Sequence, residues 1–320
     1  MATAGKLIDK RYRSPFVFVP GWYSRAELEK AGYSPNDLRH AVRNGTLHRV
    51  IPGVFQASTE QAPDPVWAKL RVLTREHRRV VSHSTAAAIW GLSAAGICEP
   101  YHVTVADRAA RIQRPGLVRS HVVRVPEEFV CDVQGIRVAA PAWTWLDLAL
   151  QSSEEDALVL ADQVLATRVK RPGRPVPLAK REDLRAALET RGRTKGIRTA
   201  RAALELAHDV ADSPQETRLR YYCHLADLPE PVVNPLIGDA HGEMFFRPDL
   251  AFTEFKVAVQ YEGQLYHSDP ERVLKDVHRQ EVTEALGWVE VRITKEHMRN
   301  GGAAAIRKIR AKLIERGWRS

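Results

Sequence analysis

Cysteine and methionine are scarce in this sequence, with three residues of each among 320. Cys98, Cys131 and Cys223 are far apart and form no Cys-x-x-Cys pair, which excludes a disulfide framework and a zinc ribbon. The chain also lacks an apolar run of about 18 residues that could cross a membrane, and its start lacks the apolar core of a signal peptide. These absences predict a cytoplasmic protein with no membrane partner.

Basic side chains outnumber acidic ones, 48 against 39, and the excess is concentrated in one segment. Residues 168–201 contain 12 Lys or Arg and three acidic residues, whereas the rest of the chain has 36 of each sign. Such a segment is typical of a surface that binds a nucleic-acid backbone, because each neutralised phosphate releases counterions. A solvated linker explains the same composition equally well.

Two helix-start signals lie close together near the beginning of the chain. Ser24 is followed three residues later by Glu27, and Ser34 stands before Pro35 and Asp37. Two short apolar runs around a Pro-Gly turn come directly after the second predicted helix and indicate a β-hairpin. Two short helices followed by a hairpin predict a winged helix-turn-helix domain.

The second predicted helix is amphipathic, with Leu38, Ala41 and Val42 on its apolar side. Its opposite face and the hairpin carry the side chains that we predict to bind DNA: Asn36, Arg39, His40, Arg43, His48 and Arg49. Arginines one helical turn apart can contact bases or phosphates in a major groove, while hairpin residues hold the flanking backbone. The alternatives are a solvated helix face or a protein-docking module.

The middle of the chain mixes strand and helix patterns. Strands are predicted at Tyr101–Val105, Leu117–Val125 and Ile136–Val138, before helices near 142–150 and 154–168. His83 and Ser84 invite comparison with a catalytic nucleophile, but no acidic residue stands at a suitable spacing, which favours a capping or packed role.

The string from Leu38 to Phe55, LRHAVRNGTLHRVIPGVF, resembles the winged helix at the start of AbiEi-type antitoxins of type IV toxin–antitoxin systems. The order of elements in the following α/β region is similar to that family as well. The resemblance implies DNA binding and, as a further partner, a cognate toxin. A homodimer is also expected, because winged helices often bind two-fold operators as dimers.

A third pattern lies between residues 244 and 292, where strand-like runs end in oxygen-bearing side chains. Asp249 closes one apolar run, and Gln260 and Glu262 close the next, where the two-residue period puts both on one face. Oxygen ligands on rigid strands suit Mg²⁺ or Mn²⁺, which keep positions for water and substrate phosphate. The pattern predicts a metal site at one end of a sheet.

These residues resemble the restriction-endonuclease-like fold, also called PD-(D/E)XK, in the branch similar to very-short-patch-repair nucleases. The likeness covers about residues 212–300 and implies a catalytic set of Asp249, Gln260, Glu262, His267 and Glu216, with Asp276 and Arg279 supporting that set or gripping phosphate. In the family the position of Gln260 is usually glutamate and that of Glu262 usually aspartate. An amide in place of a carboxylate lowers the expected metal affinity and removes a base.

The sequence as a whole predicts an α/β or α+β multidomain protein. The predicted divisions are a winged helix-turn-helix at 1–60, an AbiEi-like α/β region at 61–168, a basic proline-containing linker with helices at 169–211, and a restriction-endonuclease-like domain at 212–320. Two functions remain open. One is a Mg²⁺-dependent DNA endonuclease in defence or DNA processing. The other is a non-catalytic DNA-binding regulator or antitoxin with a degenerate nuclease domain.

Overall fold

A computed structural model describes most of the chain and separates it into two compact units, residues 1–140 and 141–320. The described residues are 21–51, 53–57, 65–75, 79–92, 96–112, 114–169, 176–238, 245–262 and 280–319. The boundary falls inside the predicted 61–168 region, because the two helices that end that region pack on later helices. The mixed α/β class is confirmed, and the finer division into four segments stays a prediction.

The first unit begins with a small sheet and two helices. Its elements are β1 Gly21–Ser24, α1 Arg25–Lys30, α2 Pro35–Arg43, β2 Leu47–Ile51 and β3 Val54–Ala57. The strand order is β1-β3-β2, and both pairings are antiparallel. The side chains of Ser24 and Ser34 accept hydrogen bonds from the backbone N–H groups of Glu27 and Asp37, so both predicted helix starts are confirmed.

The rest of the first unit is a five-stranded mixed sheet with two helices. Its elements are α3 Pro65–Arg75, β4 Val80–Val81, α4 His83–Trp90, β5 Tyr101–Val105, β6 Val118–Val122, β7 Val130–Val133 and β8 Ile136–Ala139. The strand order is β6-β5-β4-β8-β7, with parallel pairs β5–β6 and β4–β8. Strand β6 ends at Val122, three residues before the predicted end.

The second unit starts with a group of five helices. They are α5 Pro141–Ala149, α6 Glu154–Leu165, α7 Arg181–Arg191, α8 Ile197–Leu206 and α9 Pro214–Leu225. The segment interpreted as a basic linker supplies α7 and α8, and their apolar side chains, including Leu184, Leu188 and Leu204, are buried. These are the two helices predicted after the proline-containing break, and they alternate basic and apolar residues with helical spacing and bury the apolar side.

The remainder of the second unit contains the strands of the predicted nuclease-like region. The elements are β9 Val232–Val233, β10 Ile237–Gly238, β11 Phe245–Phe246, β12 Leu250–Phe252, β13 Val257–Glu262, β14 Val289–Thr294 and α10 Arg299–Glu315. A four-stranded sheet has the order β14-β13-β12-β9, in which only β13–β14 is parallel. Val257 and Val259 of β13 belong to a core that also contains Leu219 of α9 and Ile309 of α10.

Helix α10 packs on the sheet through an apolar stripe. Ile309 and Leu313 are fully buried and Ile306 packs at the edge of the same core. Ile314 is 53% exposed, because one residue along a helix is a rotation of about 100° away from Leu313. In the parts of the chain that the structure describes, no helix is long and apolar enough to span a membrane.

Candidate functional site

Helix α2 presents a polar face to solvent. Leu38 and Ala41 are buried on its inner side, and the predicted DNA-contacting side chains of its outer side are all exposed. Those side chains are Asn36, Arg39, His40 and Arg43. The guanidinium of Arg39 donates to the side-chain oxygen of Asn36, which holds the two groups together on the outer face. The helix thus offers donors at a protein surface.

The β2–β3 hairpin extends the same polar surface. His48 and Arg49 of β2 are exposed, as predicted, while Leu47 is fully buried. The turn that joins α2 to β2 is fixed by Thr46, whose hydroxyl donates to the carbonyl oxygen of Ala41 at 3.1 Å. This contact sets the position of the hairpin relative to the helix it follows.

A cavity in the first unit is lined by arginines that the sequence reasoning missed. They are Arg25, Arg79, Arg108, Arg111 and Arg114, and Ser24 and Gly53 belong to the same lining. The Nε atom of Arg79 donates to the carbonyl oxygen of Ala110 at 3.1 Å, which fixes one of these side chains. Their spacing along the chain carries no motif, so only folding shows that they share a surface.

Asp249 and Gln260 are brought together, as predicted. Asp249 lies between β11 and β12, and the antiparallel β12–β13 pairing sets it opposite Gln260 near the end of β13. Its two carboxylate oxygens accept hydrogen bonds from Nε2 of Gln260 at 3.0 Å and from the backbone N–H of Tyr261 at 2.6 Å. Gln260 thus turns its donor toward the carboxylate, whereas a metal ligand would offer its oxygen.

Glu262 lies two residues after Gln260 on β13 and contacts an arginine of the neighbouring strand β14. Its carboxylate is 3.3 Å from Nη1 of Arg292, which also donates from Nε to Glu290 at 2.8 Å. Gln260 and Arg292 are register partners in the parallel pair. At the end of this sheet, Asp249 is therefore hydrogen-bonded to the Gln260 amide, and Glu262 and Glu290 both contact the guanidinium of Arg292.

Glu216, a predicted catalytic residue, is held by the fold. It is only 6% exposed, and one carboxylate oxygen accepts from the backbone N–H of Asp212 at 3.0 Å and from Nδ2 of Asn234 at 2.7 Å. Helix α9 packs on the sheet face of Val257 and Val259, whereas Gln260 alternates onto the other face. Glu216 thus makes packing and capping contacts, and its catalytic role stays a prediction.

The remaining predicted site residues are His267, Asp276 and Arg279, and they lie outside the described residues. Among the residues that are described, one group of three or more His, Cys, Asp or Glu side chains is close enough to share an ion, and it lies elsewhere. It consists of His83, His102 and His121 in the first unit. The sequence reasoning treated His83 as a packed residue and missed the other two, because strands far apart in sequence bring them together.

Residues 79–206 match the sequence family described as AbiEi antitoxin C-terminal domain. Two proteins of Mycobacterium tuberculosis, uncharacterized protein MT2308 of strain CDC 1551 / Oshkosh and uncharacterized protein Rv2248 of strain ATCC 25618 / H37Rv, are each 32% identical over 261 residues. The alignment covers 81% of this chain and 89% of each relative. The chain belongs to the family of these two proteins.

The two relatives align over 261 residues, more of the chain than the AbiEi match, which ends at residue 206, before helix α9. A solved structure, the RV2827C protein from Mycobacterium tuberculosis, is similar at 12% identity with a TM-score of 0.41, covering 69% of this chain and 84% of that one.

Replacement of Asp249 by alanine tests whether its carboxylate stabilises this family member's fold. The change leaves the Tyr261 N–H and the Gln260 amide without their common acceptor, so we expect the free energy of unfolding to fall by about 1–3 kcal/mol. Gln260→Glu sets two carboxylates against each other and should also destabilise. Urea unfolding in chelator, with and without added Mg²⁺, measures both effects.

Gln280→Glu is the matched control, because Nε2 of the exposed Gln280 contacts the carboxylate of the exposed Glu284, four residues further along the chain, at 2.9 Å. A like-charge pair at that spacing costs only about 0.2–0.5 kcal/mol. Equal effects of the Gln260 and Gln280 substitutions would refute a special role for the Asp249 contact. If Mg²⁺ restores the stability of the Gln260→Glu variant, this single substitution is enough to create a metal site.

Proposed function

We propose that this chain is a DNA-binding regulator of the antitoxin type, whose C-terminal domain is a nuclease-derived fold without a working hydrolytic site. The observation that carries the proposal is the exposed basic face of α2 and its hairpin, next in sequence to a region that matches AbiEi antitoxins. DNA binding is the property that both features have in common. A cognate toxin is the second partner that we infer from the AbiEi match.

The α2 surface supports a winged helix-turn-helix interpretation. Arg39 and Arg43 are exposed one helical turn apart, and His48 and Arg49 continue the donors onto the hairpin. A helix face of this kind reads base edges in a major groove, while the hairpin contacts the adjoining backbone. The arginine-lined cavity of the same unit adds positive charge for phosphate groups.

The contacts of Asp249 and Glu262 at the end of the four-stranded sheet favour regulation over hydrolysis. A hydrolytic metal needs carboxylate oxygens that face an open position for water and phosphate. Here Asp249 accepts from Gln260 and Tyr261, and Glu262 faces the guanidinium of Arg292. The antiparallel and parallel pairings of this sheet are compatible with a restriction-endonuclease-like core that serves as a binding platform.

The test is DNA affinity of the full chain with and without the α2 arginines. Duplexes selected from a randomised library by repeated binding supply a ligand, and fluorescence anisotropy gives Kd at several salt concentrations. For Arg39→Ala/Arg43→Ala we expect Kd to rise at least about tenfold, since each base contact contributes about 1–3 kcal/mol. If an arginine contacts a phosphate instead, its removal should lower the slope of log Kd against log salt concentration by about 1.

Arg299→Ala/Arg307→Ala is the matched control, because it removes the same charge from two exposed positions of α10. Equal losses in the two double variants would refute the α2 interface and indicate a general charge effect. Incubation of the same proteins with supercoiled plasmid and Mg²⁺ or Mn²⁺ examines hydrolysis. Cutting that disappears in Asp249→Ala would overturn the regulator proposal in favour of an endonuclease.

A further inference from the structure

Three histidines from three different elements meet on one face of the five-stranded sheet. His83 is the first residue of α4, His102 lies in β5, and His121 lies in β6. The parallel β5–β6 register pairs Thr104 with His121, so His102, two residues earlier on β5, projects from the same face. Ser82 is joined to this group by the hydrogen bond from its backbone N–H to the His102 carbonyl oxygen.

The ring nitrogens are close enough for a common ion. Nε2 of His121 is 3.1 Å from Nδ1 of His102, and one ligand atom from each of the three residues lies within 4.8 Å of the others. Two nitrogens bound to one tetrahedral Zn²⁺ at about 2.0–2.1 Å are separated by about 3.3 Å. The His102–His121 pair therefore already has the separation of two ligands, and His83, stacked on His121 at 3.5 Å between ring centroids, must turn to complete the set.

Buried hydroxyl groups hold the imidazole of His83 in place. Nδ1 of His83 is 2.9 Å from the Ser82 hydroxyl oxygen, which also accepts from the Thr104 hydroxyl at 2.7 Å. These two contacts fix the orientation of the His83 ring within the group of three histidines. A second hydrogen bond of this kind is the usual support of a metal-binding histidine.

The backbone of His83 is held in an uncommon conformation. Its φ is +49°, in the left-handed region that a non-glycine residue rarely adopts, and its side chain is only 4% exposed. Such a conformation costs of order 1–3 kcal/mol and is concentrated at functional sites. It starts α4 with the imidazole directed at the strands that carry His102 and His121.

The rings are suited to neutral imidazole ligation. His102 and His121 are half-buried, which leaves access for an ion and a fourth ligand. Three imidazoles with one open position are found at zinc sites, and imidazole also suits copper, nickel and iron.

We propose that His83, His102 and His121 bind one divalent transition-metal ion, with Zn²⁺ as the fitting ion and Ser82 as the residue that positions His83. The site links the start of α4 to β5 and β6 within the first unit. It is independent of the DNA-binding proposal, because it uses none of the α2 side chains.

The test uses the full chain after removal of metals with a chelator and dialysis. Competition with a chromophoric chelator gives the stoichiometry and affinity for Zn²⁺, and the absorption bands of bound Co²⁺ report the coordination. We expect one strongly bound ion per chain in the wild type. His102→Asn and His121→Asn should abolish the Co²⁺ bands, while Ser82→Ala should weaken Zn²⁺ binding about 10–100-fold with the ligands intact.

His224→Asn is the control, because this histidine is exposed in the second unit. It should bind Zn²⁺ as the wild type does. If the His102 or His121 variants do not fold, as judged by circular dichroism, Ser82→Ala decides the matter through its affinity and through the Zn²⁺-dependent rise in Tm. Binding by the wild type that matches that of a folded His102→Asn or Ser82→Ala protein would overturn the proposal and leave a metal-free network of imidazoles and hydroxyls.

Discussion

Arg220→Ala is expected to lower the free energy of unfolding by about 3–5 kcal/mol, because it leaves a buried carboxylate without its guanidinium. Arg220 and Asp162 are 3% and 2% exposed, and Nη2 of the arginine is 3.0 Å from the carboxylate. Burial raises the pKa of Asp162, and the charge of Arg220 is the first of the effects that oppose this rise. Urea unfolding of the purified chain, followed by circular dichroism, measures the loss.

Arg218→Ala provides the control on the same pair of helices. Arg218 lies two residues earlier on α9 and contacts Glu155 and Asp156 of α6 at the surface, with 28% of its side chain exposed. Surface pairs contribute about 0–1 kcal/mol, so its loss should be small. Asp162→Asn/Arg220→Met removes both charges and keeps an acceptor, and we expect it to be more stable than Arg220→Ala. The reverse order would refute the buried-charge explanation.

Gly196→Ala is expected to destabilise the second unit by several kcal/mol, of which about 1–3 arise from backbone conformation. Gly196 precedes α8 with φ +85°, and an added Cβ would meet the Leu150 carbonyl oxygen at 2.2 Å. Main-chain atoms cannot turn away as a flexible side chain can, so α8 must shift from the end of α5. Thermal unfolding, with the Tm recorded for each variant, measures the effect.

Gly116→Ala separates the two causes. Gly116 has φ +84°, almost the same as Gly196, and an added Cβ there meets nothing within 4 Å. We expect Gly116→Ala to lower the stability only by the contribution of backbone conformation. If the two alanine variants melt together, the close approach of Gly196 to Leu150 does not constrain the packing of α8.

Short-range signals in the sequence predicted the elements that local chemistry determines. The boxes at Ser24–Glu27 and Ser34–Asp37 start α1 and α2 where expected, since a cap depends on residues three positions apart. Strand β1 was not predicted, because it depends on pairing with β3, whose residues are 30 to 36 positions away. Its four residues are too few to show a regular alternation of apolar and polar side chains.

The same distinction separates the site residues. Asp249 and Gln260 were predicted to converge because strand alternation and order suffice to place them. The direction of the Gln260 amide and the Asn234 contact of Glu216 were not predictable, because both depend on partners that pack from other elements. The proximity of His102 and His121 was not predicted for a similar reason, since the parallel pairing of β5 and β6 brings them together without any characteristic spacing in the sequence.

The ion pair between α6 and α9 limits how this chain can be recombined with others. The AbiEi match ends at residue 206, yet Asp162 inside it depends on Arg220 and Thr217 beyond it. A gene fusion that exchanged everything after 206 would inherit an acidic side chain without the partners that satisfy it. Chimaeras that cut the chain after α9 should therefore yield more soluble protein than chimaeras cut at the edge of the sequence match.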